Sequence, residues 1–141
     1  SNPQPMPAIQ RYEGVYFGVL KKHIREGRMK NTDILILTEK YGLVSSNQLV
    51  PHNPEYSRRI ATNNLDDKRR HNLQKLQYEL SKGKYSEILI NLGKDFWPLI
   101  EGLEKVVGKT KMTIAKGSAL GPKASHMKQW ILKHSSKSGQ T

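Results

Sequence analysis

Three short apolar segments of the chain each run into a lysine within a few residues. The segments are 33–37, 87–91 and 111–114, and the lysines are Lys40, Lys94 and Lys116. Apolar segments of this length with β-branched residues are typical of strands buried on both faces of a parallel sheet. Because ligands of open α/β sheets bind outside the carboxyl ends of the strands, the three cations would gather at one edge. This pattern predicts an anionic ligand there.

A glycine-rich loop forms a second candidate anion site, between the last predicted strand and the last predicted helix. It runs from Lys116 to Lys123 and contains Gly117, Ser118 and Gly121. Free backbone N–H groups and the helix dipole favour an anion at a helix N-terminus. The spacing is not that of a Walker A loop, and Pro122 removes one donor, so a plain strand-to-helix turn is the alternative interpretation.

Basic residues before and on the long predicted helix are a third candidate. They are Arg58, Arg59, Lys68, Arg69 and Arg70. Arginines can hold phosphates with bidentate geometry, although such a run can also be a solvated helix face. The charge balance favours phosphate binding, because 24 Lys and Arg face 12 Asp and Glu, a net charge of +12. No Asp or Glu follows Glu104. Lysines, including Lys128, continue beyond it and are still found in the last ten residues.

Two glutamates are candidate catalytic residues because each lies beside a predicted strand end or a Tyr-Gly element. They are Glu13 and Glu39, and the surrounding candidate pocket comprises Tyr12, Gly14, Thr38, Tyr41, Gly42 and Gly93. Glu39 next to Lys40 suits either a general base or a structural ion pair, and the ion pair is favoured. The five histidines lack paired spacing and the chain has no cysteine, so neither a metal nor a cofactor is predicted.

Helical periodicity predicts the elements that would position these residues. The predicted helices are 15–28, 64–83 with Asn64 as N-cap, 95–104 and 122–134. Helices alternating with strands predict an α/β fold, a three-layer and mainly parallel sheet flanked by helices, over residues 11–134. Residues 1–10 are expected to be a Pro-rich linker or the boundary of an excised piece, residues 45–63 a long crossover loop, and residues 135–141 a flexible tail.

Three segments of the chain resemble the YaaA family of bacterial peroxide-stress proteins and its small relatives. They are 12–20, 34–44 followed by Pro51, and 116–121 with the later Trp130. The resemblance implies an α/β fold related to DNA glycosylases and a connection to DNA binding or base damage. Two departures stand out. The sequence shows no counterpart of the strand with which the relatives usually begin, before the Tyr-x-Gly element at residues 12–14, so we expect this strand either to have been removed or to be lacking in the protein. Glu39 lies in a turn where the relatives carry small residues.

These observations predict a nucleic-acid-associated domain, part of a larger protein, that binds DNA or RNA phosphates through a basic face. One alternative is an enzyme acting on a nucleobase, nucleoside or nucleotide at the strand-end edge, and another is an interaction module for an acidic protein. No apolar run approaches the roughly 20 residues of a membrane span, so we expect no membrane partner. We expect a cytoplasmic or nucleoid-associated location.

Overall fold

The structure is a computed structural model, and it describes residues 4–12, 14–51, 64–83, 85–115 and 120–138. The strands in these ranges are β1 (Met6–Pro7), β2 (Leu35–Thr38), β3 (Gly42–Ser45), β4 (Leu49–Val50), β5 (Glu87–Ile90) and β6 (Lys111–Ile114). The helices are α1 (Ala8–Arg11), α2 (Val15–Arg25), α3 (Leu65–Ser81), a 3-10 helix (Lys94–Ile100), α4 (Leu103–Val107) and α5 (Leu120–Ser138). The mixture of helices and strands agrees with the predicted α/β class.

The described strands form three two-stranded sheets, of which only the β5–β6 sheet is parallel. β2, predicted as a parallel strand, instead pairs antiparallel with β3, with Thr38 opposite Gly42. The turn explains this correction. Gly42 has a φ of +70°, which glycine adopts without steric cost, so the chain reverses at once. The Thr38 hydroxyl accepts the Tyr41 N–H and donates to the Gly42 carbonyl, both at 2.9 Å. A mainly parallel sheet is therefore not confirmed.

Helices cover both faces of the parallel β5–β6 pair. Side chains alternate between the two faces of a strand, so β5 contributes side chains to the contacts on both sides. Ile88 and Ile90 pack on the cluster that contains buried Leu103 of α4. Glu87 and Asn91 face the other way and contact α5. This local arrangement is that of an α/β unit, with α4 in the connection between the two parallel strands.

The amino-terminal segment belongs to the core, contrary to the predicted linker. β1 pairs with β4, and the backbone N–H groups of Ala8 and Ile9 donate to the Gln48 and Ser46 carbonyls at 2.9 and 3.0 Å. Ala8 is fully buried and Ile9 is 8% exposed. Two apolar residues hidden among prolines and polar neighbours give too weak a periodic signal to show this from the sequence.

The helices lie where the sequence predicts them, but several bounds and types differ. α2 ends at Arg25 instead of continuing to residue 28, and α5 begins at Leu120, two residues before the predicted start. Asn64 precedes α3 in a left-handed conformation (φ 58°), and its side chain makes no capping hydrogen bond. The predicted helix at 95–104 is a 3-10 helix followed by the short α4, since Pro98 lies within it. α5 continues to Ser138, into the segment expected to be a flexible tail.

Candidate nucleic-acid interface

The arginines of α3 are held by neighbouring protein groups. Arg69 donates to the Pro98 carbonyl at 2.9 Å and pairs with Asp66 at 3.1 Å and with Glu101 at 3.3 Å. Arg70 pairs with Asp67. A guanidinium already paired with carboxylates attracts a phosphate weakly, because the local charges cancel. The structure thus favours the structural interpretation of these two residues, and Arg58 and Arg59 lie outside the described residues.

Exposed cations without such pairing lie on α2 and α5, two helices that pack against each other. Lys22 and Arg25 are one turn apart on α2 and therefore share a face. Lys128 is exposed on α5. None of these three forms an ion pair with another described residue. We call Lys22, Arg25 and Lys128 the α2–α5 surface.

Buried His23 of α2 lies in the electric field of cations from both helices. It is 1% exposed, and the Arg28 Nε–H donates to its Nδ1 at 2.6 Å. Burial lowers the pKa of His23, and the charges of Arg28, Lys22 and Lys128 lower it further. The packing of α2 against α5 accounts for the effect of a lysine from each helix on one imidazole.

Side-chain contacts fix α5 along β5, running in the opposite direction. The Lys123 ammonium donates to the Leu92 carbonyl at 3.0 Å, beyond the carboxyl end of β5. At the amino end of the strand, Glu87 accepts hydrogen bonds from Trp130 Nε1 and from His134 Nε2, the latter at 3.1 Å. These contacts hold the α5 contribution to the surface in a defined orientation.

Glu87 is an ionised anchor in this arrangement. Its side chain is 9% exposed and also lies 3.4 Å from the Lys111 ammonium. Burial opposes ionisation of Glu87, but hydrogen bonds from Trp130, His134 and Lys111 outweigh it and hold the carboxyl pKa below its ordinary value. The carboxylate therefore stays charged at neutral pH, which strengthens its bonds to the helix.

The three lysines expected at one strand-end edge do not share one. Lys94 is exposed, four residues after the end of β5. It follows two residues after Leu92, whose carbonyl accepts the Lys123 ammonium. Lys40 lies in the β2–β3 turn, its ammonium 5.7 Å from the centre of the Tyr41 ring. Because β2 is not part of the parallel pair, Lys40 belongs to a different strand end. Lys116, Gly117 and Ser118 lie outside the described residues, whereas Gly93, after β5, and Gly121, in the first turn of α5, are exposed.

The structure does bring together three residues of the predicted pocket, Tyr12, Thr38 and Tyr41. Burial raises the pKa of Tyr12, and neighbouring Tyr41 adds to this, against an opposing hydrogen bond with Thr38. The Tyr41 hydroxyl is buried without a hydrogen-bond partner among the described residues. The raised pKa of Tyr12 keeps its phenol protonated at neutral pH, so that hydroxyl can donate a hydrogen bond.

The remaining pocket candidates take other positions. Gly42 packs against Asn72 rather than opening towards a ligand, and Gly14 is the exposed residue before α2, with a φ of +122°. Glu39 is half-buried and interacts with another group, and its role as an ion-pair partner or as a general base stays a prediction. Glu13 lies outside the described residues.

A cleft that the sequence did not indicate lies between the open end of the β2–β3 hairpin and the end of α3. Its volume is about 730 Å³. Its walls come from segments 24–35, 45–47, 79–83 and Tyr85. Segments so distant in the chain carry no shared spacing, so only the folded structure reveals the cleft.

Two further searches of the described part of the chain were negative. No group of three or more His, Asp or Glu side chains there could hold a metal ion. No described helix has both the length and the apolar character needed to cross a membrane.

Comparisons with protein-family models, with curated proteins and with solved structures find no match to this chain. The resemblance to YaaA therefore stays a prediction that rests on the sequence segments alone.

Proposed function

We propose that this chain binds the phosphate backbone of nucleic acid, and that the α2–α5 surface is the principal contact. The supporting observation is the contrast between two sets of cations. Lys22, Arg25 and Lys128 make no ion pair with described residues, whereas Arg69 and Arg70 of α3 are paired with carboxylates. Unpaired cations on two helices that pack against each other attract a polyanion without first breaking an internal ion pair.

A pair of matched double variants tests this proposal. Lys22→Gln with Lys128→Gln removes two charges from the α2–α5 surface. Lys105→Gln with Lys109→Gln removes two exposed charges from the region of α4, which covers the opposite face of the β5–β6 pair. Affinity for labelled duplex and single-stranded DNA and RNA is measured by fluorescence anisotropy over a series of salt concentrations.

Each phosphate contact contributes about 0.9 to the slope of log K against log salt on duplex DNA. We expect the α2–α5 variant to bind more weakly and to lose about 2 from that slope, with little change in the control. If the two double variants have equal affinities and equal salt slopes, the α2–α5 surface is not the contact for nucleic acid. Weak wild-type binding to all four nucleic acids would reject the function, and salt-sensitive protein binding would then favour an acidic protein partner.

The second candidate function is an enzyme that acts on a nucleobase, nucleoside or nucleotide. It is supported by the proximity of Tyr12, Thr38 and Tyr41. The protonated phenol of Tyr12 can donate a hydrogen bond to charge that develops on a leaving base or on an oxygen. Base release or nucleotide turnover that is lost in Glu39→Gln would favour this candidate. Either function would suit the YaaA resemblance and a cytoplasmic or nucleoid-associated location.

A further inference from the structure

The cleft between the β2–β3 hairpin and the end of α3 has the size of a small-molecule site. Ligand pockets commonly enclose about 300–1,000 Å³, and this cleft has about 730 Å³. Several charged side chains in its walls are already engaged with one another. Glu79 pairs with Lys75 at 3.1 Å and with Lys82 at 3.3 Å, and the Tyr85 hydroxyl donates to Asp33. Lys30 also lines the cleft, and the two cations and two carboxylates of the lining, Lys30, Lys82, Asp33 and Glu79, sum to zero net charge, so the cleft favours neither an anion nor a cation.

Uncharged polar side chains in the same walls remain available. Asn31, Asn47 and Ser46 line the cleft, and none of their side chains makes a hydrogen bond with another described residue. Some backbone groups there are already bonded, since the Ser46 N–H donates to the Ile34 carbonyl at 3.0 Å and the Thr32 N–H to the Met29 carbonyl at 3.2 Å. A ligand would thus meet amide and hydroxyl groups that can both donate and accept.

Apolar groups complete the lining. Ile24, Met29 and Ile34 contribute aliphatic surface, and Tyr85 contributes an aromatic ring. The hydrogen bond to Asp33, with burial, raises the pKa of Tyr85 to about 12, so the phenol stays neutral. Amides and hydroxyls combined with flat apolar surface match a neutral, planar heterocycle that carries donors and acceptors on its edges.

The cleft adjoins the α2–α5 surface through α2 itself. Ile24, which lines the cleft, directly precedes Arg25 on the last turn of α2, and Gly27 after the helix also lines the cleft. Successive residues of a helix point about 100° apart, so Arg25 is the cation of α2 next to the cleft side, whereas Lys22, two residues before Ile24, faces a different side. A strand with a phosphate on Arg25 would therefore have a base within reach of the cleft. The charged backbone and the uncharged bases would each meet a surface of suitable chemistry.

We infer that the cleft accepts one unpaired nucleobase from a single strand whose phosphates contact the α2–α5 surface. This inference rests on the proposed function and adds to it a preference for single-stranded over duplex nucleic acid. Duplex bases are stacked and paired and cannot enter, whereas a splayed base can be received between apolar side chains and amide groups.

Filling the cleft tests the inference. Asn47→Trp places a bulky side chain at an exposed position in the cleft wall, and Gln48→Trp places the same side chain one residue later, outside the lining. Anisotropy is measured with single-stranded and duplex oligonucleotides of the same sequence. We expect Asn47→Trp to lose roughly tenfold or more in single-strand affinity, the scale of one base stacking contact. Its duplex affinity and salt slope should stay unchanged, and Gln48→Trp should behave as the wild type.

The outcomes separate the two proposals. Salt-dependent binding with equal single-strand affinity for the two tryptophan variants would overturn the cleft inference and leave the proposed function intact. No wild-type binding to any nucleic acid would overturn both. If circular dichroism shows that Asn47→Trp does not fold, the double variant Asn31→Ala with Asn47→Ala replaces it. This variant removes the free amides and leaves the space open, and it should likewise weaken single-strand binding without changing duplex binding.

Discussion

Replacing Gly42 by alanine tests how the β2–β3 turn is joined to α3. A Cβ at this position would lie 2.6 Å from Asn72 Oδ1 and 3.3 Å from His71 Cδ2. The Asn72 side chain cannot move freely, because it is 2% exposed and both its amide oxygen and its amide nitrogen are hydrogen-bonded. Its Oδ1 accepts the Leu43 N–H, and its Nδ2 donates to the Leu99 carbonyl, both at 3.0 Å.

Two costs add in Gly42→Ala. The left-handed φ of +70° costs a residue with a Cβ about 1–2 kcal/mol. Displacing Asn72 leaves at least one buried polar group unsatisfied, at about 1–3 kcal/mol. The expected loss in free energy of unfolding is therefore about 2–5 kcal/mol, and the melting temperature of a chain of this size should fall by roughly 10 °C.

Thermal and urea unfolding followed by circular dichroism measure this loss. Gly93→Ala is the matched control, since a Cβ there meets open space, and its stability should change by less than about 0.5 kcal/mol. In an Asn72→Ala background the clash is absent, so Gly42→Ala should then cost only the backbone strain. A cost equal to that of Gly93→Ala, or an undiminished cost in the Asn72→Ala background, would refute the reasoning.

Two further predictions concern pH and the attachment of α5. Because the lowered pKa of His23 means that the unfolded chain binds more protons, stability should fall as the pH drops through about 6.5, the ordinary histidine pKa. His23→Gln should flatten this dependence in urea unfolding, and an identical pH profile in the variant would contradict the assignment. Glu87→Gln should cost about 1–3 kcal/mol at neutral pH. This difference should shrink as the pH falls below the ordinary carboxyl range, because the lowered pKa of Glu87 supplies stability only while it is ionised. Hydrogen exchange should show faster opening of α5 in Glu87→Gln, and unchanged exchange there would reject the anchoring role.

The helices and the parallel strand pair could be predicted because their signals are local. α2 begins at Val15 as its periodicity indicates, and β5 and β6 coincide with two of the three apolar segments. The partner of β2 could not be found in this way, because it depends on a tight turn at Gly42 that the apolar pattern does not describe. The buried position of Ala8 likewise depends on pairing with a strand far along the chain.

For the candidate site, the structure adds the pairing of side chains, which a count of cations does not describe. The arginines of α3 look like an anion site when cations alone are considered, yet Asp66 and Asp67 lie three residues before Arg69 and Arg70. That spacing predicts pairing on a helix surface and was present in the sequence. The proximity of Lys22 and Lys128 had no such signal, since it arises only when α2 packs against α5.

Mapping the contact surface by nuclear magnetic resonance tests the central claim most directly. Amide chemical shifts of the labelled chain are followed while a short oligonucleotide is added at low and at physiological salt. We predict that the largest changes fall on α2 and α5, around Lys22, Arg25 and Lys128, and weaken as salt is raised. Changes centred on α3 around Arg69 and Arg70, with α2 and α5 unaffected, would contradict the assignment of the α2–α5 surface.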